Sequence, residues 1–78
     1  MARIRYIVGR RAGKWYVTRG REVVYGPLRT QRQAIAEAAM TCRARWADGQ
    51  LCELIIKGRD GRIRDSRTYG RDPRHIKG

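Results

Sequence analysis

The sequence predicts an α+β fold, an antiparallel sheet with one helix packed on one sheet face, and three observations carry that reading. Short runs in which apolar and polar residues alternate occupy the first 28 residues and the stretch after Gln50, which is the period of half-buried strands. Between them, apolar residues recur at helical spacing. Glycine or proline punctuates most of the joins. A chain of 78 residues has room for one hydrophobic core, so one domain is expected over residues 1–68, in the order strand, strand, strand, helix, strand, strand.

The first strand covers Ile4–Val8, where Ile4, Tyr6 and Val8 point one way and Arg3, Arg5 and Ile7 the other. Gly9–Gly13 (GRRAG) makes a basic turn into a second strand, Lys14–Arg19 (KWYVTR), rich in aromatic and β-branched residues. Trp15 and Tyr16 are neighbours on that strand and must face opposite sides. Trp15 with Val17 is assigned to the core, Tyr16 to the solvent side with Lys14 and Thr18. Gly20 and Arg21 lead to a third run, Glu22–Tyr25, which Gly26-Pro27 is expected to end because proline has no amide hydrogen for a ladder. Thr30 and Gln33 have the spacing of a capping box, which satisfies free amides at a helix start, so a helix is expected over residues 31–47. Its apolar stripe runs through Ile35, Ala38, Ala39, Cys42 and Trp46, and Asp48-Gly49 is its stop. Leu51–Lys57 reads as a fourth strand, Gly58–Gly61 (GRDG) as a hairpin turn, and Arg62–Thr68 as a polar fifth strand at a sheet edge. Tyr69–Gly78 (YGRDPRHIKG) shows no period and is expected to be an extended or mobile basic tail.

The formal net charge is +12, from 19 basic and seven acidic residues, and 16 of the basic residues are Arg. Like charges at this density repel one another in the folded chain, and binding a polyanion relieves that repulsion while releasing the counterions of the ligand. Guanidinium forks match phosphate oxygens and guanine edges in pairs, which points to nucleic acid. A GC-rich coding bias accounts for Arg over Lys but not for base over acid. Residues 1–28 carry +6 and residues 51–78 carry +4, against +2 for the helical middle, so a ligand is expected at strands and turns. Arg3, Arg5, Arg10, Arg11, Lys14, Arg19 and Arg21 are expected to form one basic face of the meander or its turns. Tyr16 stands among them as an aromatic able to stack on a base or sugar. Arg62 and Arg64 complete the candidate nucleic-acid-binding set. There Arg59, Arg62, Arg64 and Arg67 are interleaved with Asp60 and Asp65, whose ion pairs compete with an external ligand.

Catalysis finds no constellation. Glu22, Glu37 and Glu53 sit on different elements, Ser66 lacks a glycine elbow, and His75 stands alone in the tail. The GRDG turn lacks the GxxxxGK[ST] pattern of a phosphate-cradling loop, and two Cys with one His cannot assemble a structural zinc site. No enzyme activity, metal or cofactor is therefore expected. Cys42 and Cys52 read as small apolar residues of a reducing compartment, with a disulfide between them left open. The N-terminal stretch lacks a signal-peptide run and no segment approaches the roughly 20 apolar residues that span a bilayer. The expectation is a cytoplasmic protein without a membrane partner, nucleoid-associated if it binds DNA.

The segment GKWYVTRGREVVYGPLRTQRQAIAEAA (Gly13–Ala39) resembles the three-stranded-sheet DNA-binding domains of plant ethylene-response factors and of phage integrase arm-binding domains. The likeness lies in a GKW-type second strand, an apolar-Gly-x-apolar turn, and Thr opening an Ala-rich helix. It implies that the exposed sheet face lies in the major groove, with Lys14, Tyr16, Val24, Arg3, Arg5 and Arg19 or Arg21 toward DNA. Val24 stands where those domains often carry a large aromatic. The run ELIIKGRDGRIRDSRTYGRDP (Glu53–Pro73), with the strands and helix before it, is similar to a family of small bacterial domains of unknown function (domain of unknown function 2188). In that family the GxDGxI hairpin and a YG-x-DP tail recur. The likeness covers nearly the whole chain and implies the element order, but no activity.

The functional expectation is a DNA-binding protein that grips phosphates through an Arg-rich sheet face and reads few bases, DNA being favoured over RNA. The alternative is a protein-interaction or inhibitory module that binds an acidic partner through the last strand and tail. A homodimer stays open, because a sheet with one helix leaves a face or an edge uncovered.

Overall fold

The alternating stretch at the N-terminus becomes three strands, β1 (Ile4–Arg11), β2 (Lys14–Arg19) and β3 (Glu22–Leu28), followed by α1 (Gln31–Ala47), β4 (Cys52–Lys57) and β5 (Ile63–Tyr69). This is a computed structural model, and it describes residues 3–70. Most of the predicted tail, including His75, lies outside the described residues. Tyr69, expected to open that tail, instead closes β5 and packs against the core.

The helix starts and stops where the local chemistry dictates. The Thr30 hydroxyl accepts the Gln33 amide at 3.1 Å, while the Gln33 side-chain oxygen accepts the Thr30 amide at 3.3 Å and the Arg29 amide at 3.1 Å. At the far end Gly49 takes a φ of 86°, a left-handed conformation that suits glycine, and its amide donates to the Trp46 carbonyl at 2.8 Å.

The five strands form one sheet in the order β3-β2-β1-β4-β5. Three neighbouring pairs are antiparallel, but β1 and β4 run parallel, with Ile4 beside Cys52 and Val8 beside Ile56. The wholly antiparallel sheet expected from the sequence is thus corrected to a mixed one. The cause is α1, which leaves the end of β3, crosses one face of the sheet and returns the chain to the end where β1 begins. The next strand must then run in the direction of β1.

β3 also differs from expectation, since it continues through Gly26-Pro27 to Leu28, with the Gly26–Pro27 bond cis. It is an edge strand, so one side of it needs no ladder donors, and the proline falls where the register shifts between Trp15 and Val17. β5 is the other edge, as expected.

The core lies between α1 and one face of the sheet. Ile4, Tyr6 and Val8 of β1, Trp15 and Val17 of β2, and Cys52, Leu54 and Ile56 of β4 meet Ala34, Ala38, Ala39 and Cys42 of the helix. The helix contributes small residues, which let it approach closely, and the sheet contributes the bulk. The stripe is set slightly earlier than predicted: Ala34 is fully buried, whereas Trp46 is 49% exposed. In place of Trp46, Arg45 reaches the sheet and donates from Nε to the Tyr6 hydroxyl at 3.4 Å, and the Thr41 hydroxyl bonds the Tyr25 hydroxyl at 3.1 Å.

Cys42 and Cys52, read from sequence as unpaired apolar residues, form a disulfide that ties α1 to β4 with 5.4 Å between their Cα atoms. Helical and strand periodicity aim both side chains into the core, and parallel pairing sets the start of β4 under the helix.

Candidate nucleic-acid interface

The sheet face opposite α1 is uncovered. Strand register lays its residues out in rows: Val23, Thr18, Ile7, Ile55 and Ser66 run across all five strands. Beside them lie Tyr16, Gly9, Lys57 and Ile63 on one side, and Arg5, Glu53 and Thr68 on the other. The middle is therefore uncharged, with Thr18, Ile7 and Ile55 half-buried at its centre, and the cations stand toward its two ends. The expected single basic face is in fact two separate groups.

At the end where β1 begins, Arg3 and Arg5 both reach Glu53, at 3.9 Å and 3.0 Å. Arg19 joins them around a shallow hollow of about 470 Å³ that Ile7 also lines. Arg21 is exposed on the adjoining β2–β3 turn. Glu53 thus takes up part of the positive charge at this end, a pairing that sequence spacing does not show.

At the other end, Arg11 and Lys14 face each other across the β1–β2 ladder on the open face. Arg10 does not join them. It opposes Trp15, so its side chain belongs to the helix side of the sheet. Tyr16 is half-buried on the open face, as expected, and the Arg11 guanidinium carbon sits 5.8 Å from its ring centroid, within cation–π range. Gly26 makes room for that ring: a Cβ on it would fall 2.6 Å from Tyr16 Cδ1 and 3.0 Å from the Trp15 carbonyl oxygen. Val24, a DNA-side residue by the first resemblance, is 37% exposed on the edge strand.

The same end of the sheet receives the start of α1 and the β4–β5 turn, which are joined by the Gln31 side-chain amide donating to the Lys57 carbonyl at 2.9 Å. This brings Arg29, Lys57 and Arg59 to the neighbourhood of Arg62, Arg64 and the β1–β2 turn. Arg29 and Lys57 escaped the sequence reading, because only the parallel pairing of β1 with β4 places their junctions side by side. Asp60 pairs with Arg62 at 4.0 Å and Asp65 with Arg67 at 3.4 Å, so the expected competition from internal ion pairs is present on β5 and its turn. Both pairs are exposed, and such pairs contribute only about 0–1 kcal/mol, too little to hold an arginine from a phosphate. Among the described residues, Arg59 and Arg64 have no carboxylate within 4.0 Å.

Two guanidinium groups are held above their ordinary pKa: Arg67 by the neighbouring Tyr69 side chain and then by Asp65, and Arg45 by its hydrogen bond with Tyr6. Among the described residues, no group of three or more His, Cys, Asp or Glu gathers as a metal site, and no helix is long and apolar enough to cross a membrane.

No curated protein and no solved structure matches the chain, and no match supports the likeness to three-stranded-sheet DNA-binding domains. A family model does match. It is described as uncharacterized protein conserved in bacteria (DUF2188) and covers residues 5–69, from β1 through the last residue of β5, so the chain belongs to that family.

Proposed function

We propose that this protein binds DNA, gripping phosphates with the cations at the ends of its open sheet face and reading few base edges, and that it is a binding module rather than an enzyme. The observation that carries the reading is the position of Arg11, Lys14 and Lys57 at one end of the open face and of Arg3 and Arg5 at the other, on either side of a middle without charge. Five strands spaced by about 4.8 Å make a face roughly 19 Å wide. The DNA major groove is about 12 Å wide and admits a two-stranded ribbon, not a whole sheet. The sheet therefore lies across the groove and touches both phosphate walls, and only the β1–β2 ribbon, tipped by Arg11 and Lys14, enters it. The deep, narrow major groove of duplex RNA excludes even a ribbon, which favours DNA.

Fluorescence anisotropy with a short DNA duplex and an RNA duplex of the same sequence tests this. The DNA duplex binds more tightly, and an Arg11→Glu/Lys14→Glu variant loses about tenfold or more in affinity while its melting curve stays unchanged. Equal affinity for both duplexes, or no loss in that variant, contradicts the proposal.

A second reading draws on β5, an edge strand whose residues Ile63 to Thr68 are all exposed and to which a partner strand could add. A protein captured by this chain after nuclease treatment, and lost when proline replaces Ser66, would favour it.

A further inference from the structure

The hollow at the start of α1 opens at the end of the sheet on the helix side, and Ile63 is the one lining residue it shares with the open face. It has a volume of about 880 Å³, is walled by Trp15 and Gln31 on the helix side of the sheet, and is ringed by Arg29, Arg59, Arg62 and Arg64 with Asp60. A duplex resting on the opposite face of the sheet leaves it uncovered. We infer that this hollow is a second anion site, taking a compact phosphate group with two or more negative charges, such as pyrophosphate or the phosphorylated end of a strand.

The lining carries four cations and one carboxylate, an excess of three positive charges. The carboxylate is already engaged, since Asp60 Oδ1 accepts the Arg62 amide at 3.0 Å and so holds the turn. Arg64 lies across Gly58: a Cβ at that buried glycine would fall 2.8 Å from Arg64 Cδ and 3.1 Å from Cγ. The hydrogen bond from Gln31 to Lys57 fixes the spacing between the helix wall and the turn wall. At the helix start the Thr30 and Gln33 amides are taken up by the capping box, and the charge of the site comes from the guanidinium groups. Guanidinium forks bind phosphate oxygens two at a time, and three uncompensated ones match a multiply charged group better than a single phosphodiester charge. The volume lies within the roughly 300–1,000 Å³ of ordinary ligand pockets.

The site stands apart from the proposed DNA contact, so either can fail without the other. The experiment is a titration of the full chain, labelled with nitrogen-15, with sodium pyrophosphate at constant ionic strength. The amides of Arg29 to Gln31 and Gly58 to Arg64 shift and saturate, while those of Ile7, Tyr16 and Thr18 on the open face stay in place. An Arg62→Gln/Arg64→Gln variant binds at least tenfold more weakly, and an Arg59→Gln variant, altered only in the exposed turn, weakens in the same direction. A parallel titration with a short single DNA strand, with and without a 5′-phosphate, distinguishes the sources of the group. Shifts in the hollow that require the 5′-phosphate assign it to a strand end, and shifts with pyrophosphate alone assign it to a free anion. Shifts that never saturate, that spread equally over the open face, or that survive both variants overturn the inference.

Discussion

On the proposed reading, Tyr16 is the residue on which the chemistry of the open face turns. Its ring is seated by the missing side chain of Gly26, whose φ of 127° is a conformation that L side chains rarely adopt. A Gly26→Ala variant meets both the backbone strain and the Trp15 carbonyl, and should lose about 1–3 kcal/mol. In a domain of this size each kcal/mol corresponds to about 4–8 °C in Tm, which differential scanning fluorimetry reads directly. Tyr16→Ala should weaken DNA binding by about fivefold or more if the ring stacks on bases or sugars, while Tyr16→Phe keeps the affinity. Equal losses for both variants in an anisotropy assay would assign the effect to the hydroxyl instead. The outward position of Tyr16 was legible from strand alternation. The inward position of Arg10 was not, because Gly9–Gly13 reads as a turn, where alternation does not apply. Instead β1 continues in register to Arg11, and that continuation places Arg10 beside Trp15.

At the scale of elements, local chemistry was readable and long-range pairing was not. Thr30 and Gln33 mark the helix start within a few residues of sequence, and the structure keeps α1 at Gln31–Ala47. The side of β4 on which β1 lies depends instead on where the helix returns the chain, and nothing local records that. The same gap hid the partnership of Cys42 with Cys52 and the meeting of Arg29 with the β4–β5 turn. It also hid the pairing of Glu53 with Arg3 and Arg5, since these residues are some fifty positions apart in sequence. The disulfide closes a ring between residues separated by 10 positions. On the chain-entropy account a ring of about this size contributes roughly 2.5–3 kcal/mol. A Cys42→Ala/Cys52→Ala variant should therefore melt about 10–20 °C below the oxidised protein. Both sulfurs are buried, so alkylation under native conditions should label neither cysteine, and intact mass after unfolding without reductant should show the pair still joined. Labelling of both thiols in the unfolded, unreduced protein would contradict the bond. Such a bond persists most readily in an oxidising setting, and its burial shields it from reductant elsewhere.

For the molecule as a whole, a charge of +12 on one small domain is distributed by the fold rather than by the sequence. One end of the open face carries arginines partly neutralised by Glu53, the other carries Arg11, Lys14 and Lys57, and the Arg-lined hollow lies beyond that second end on the helix side. On the proposed reading a duplex lying across the open face would meet both ends, and the affinity should come from phosphates rather than from bases. The measurement that tests this most directly is the affinity for a DNA duplex as a function of salt. If about six phosphates are neutralised, each contributing roughly −0.9, the logarithm of the association constant falls against the logarithm of salt concentration with a slope of about −5. Scrambling the duplex sequence should leave that slope and the affinity nearly unchanged. A flat salt dependence, or no binding at low ionic strength, would contradict the account.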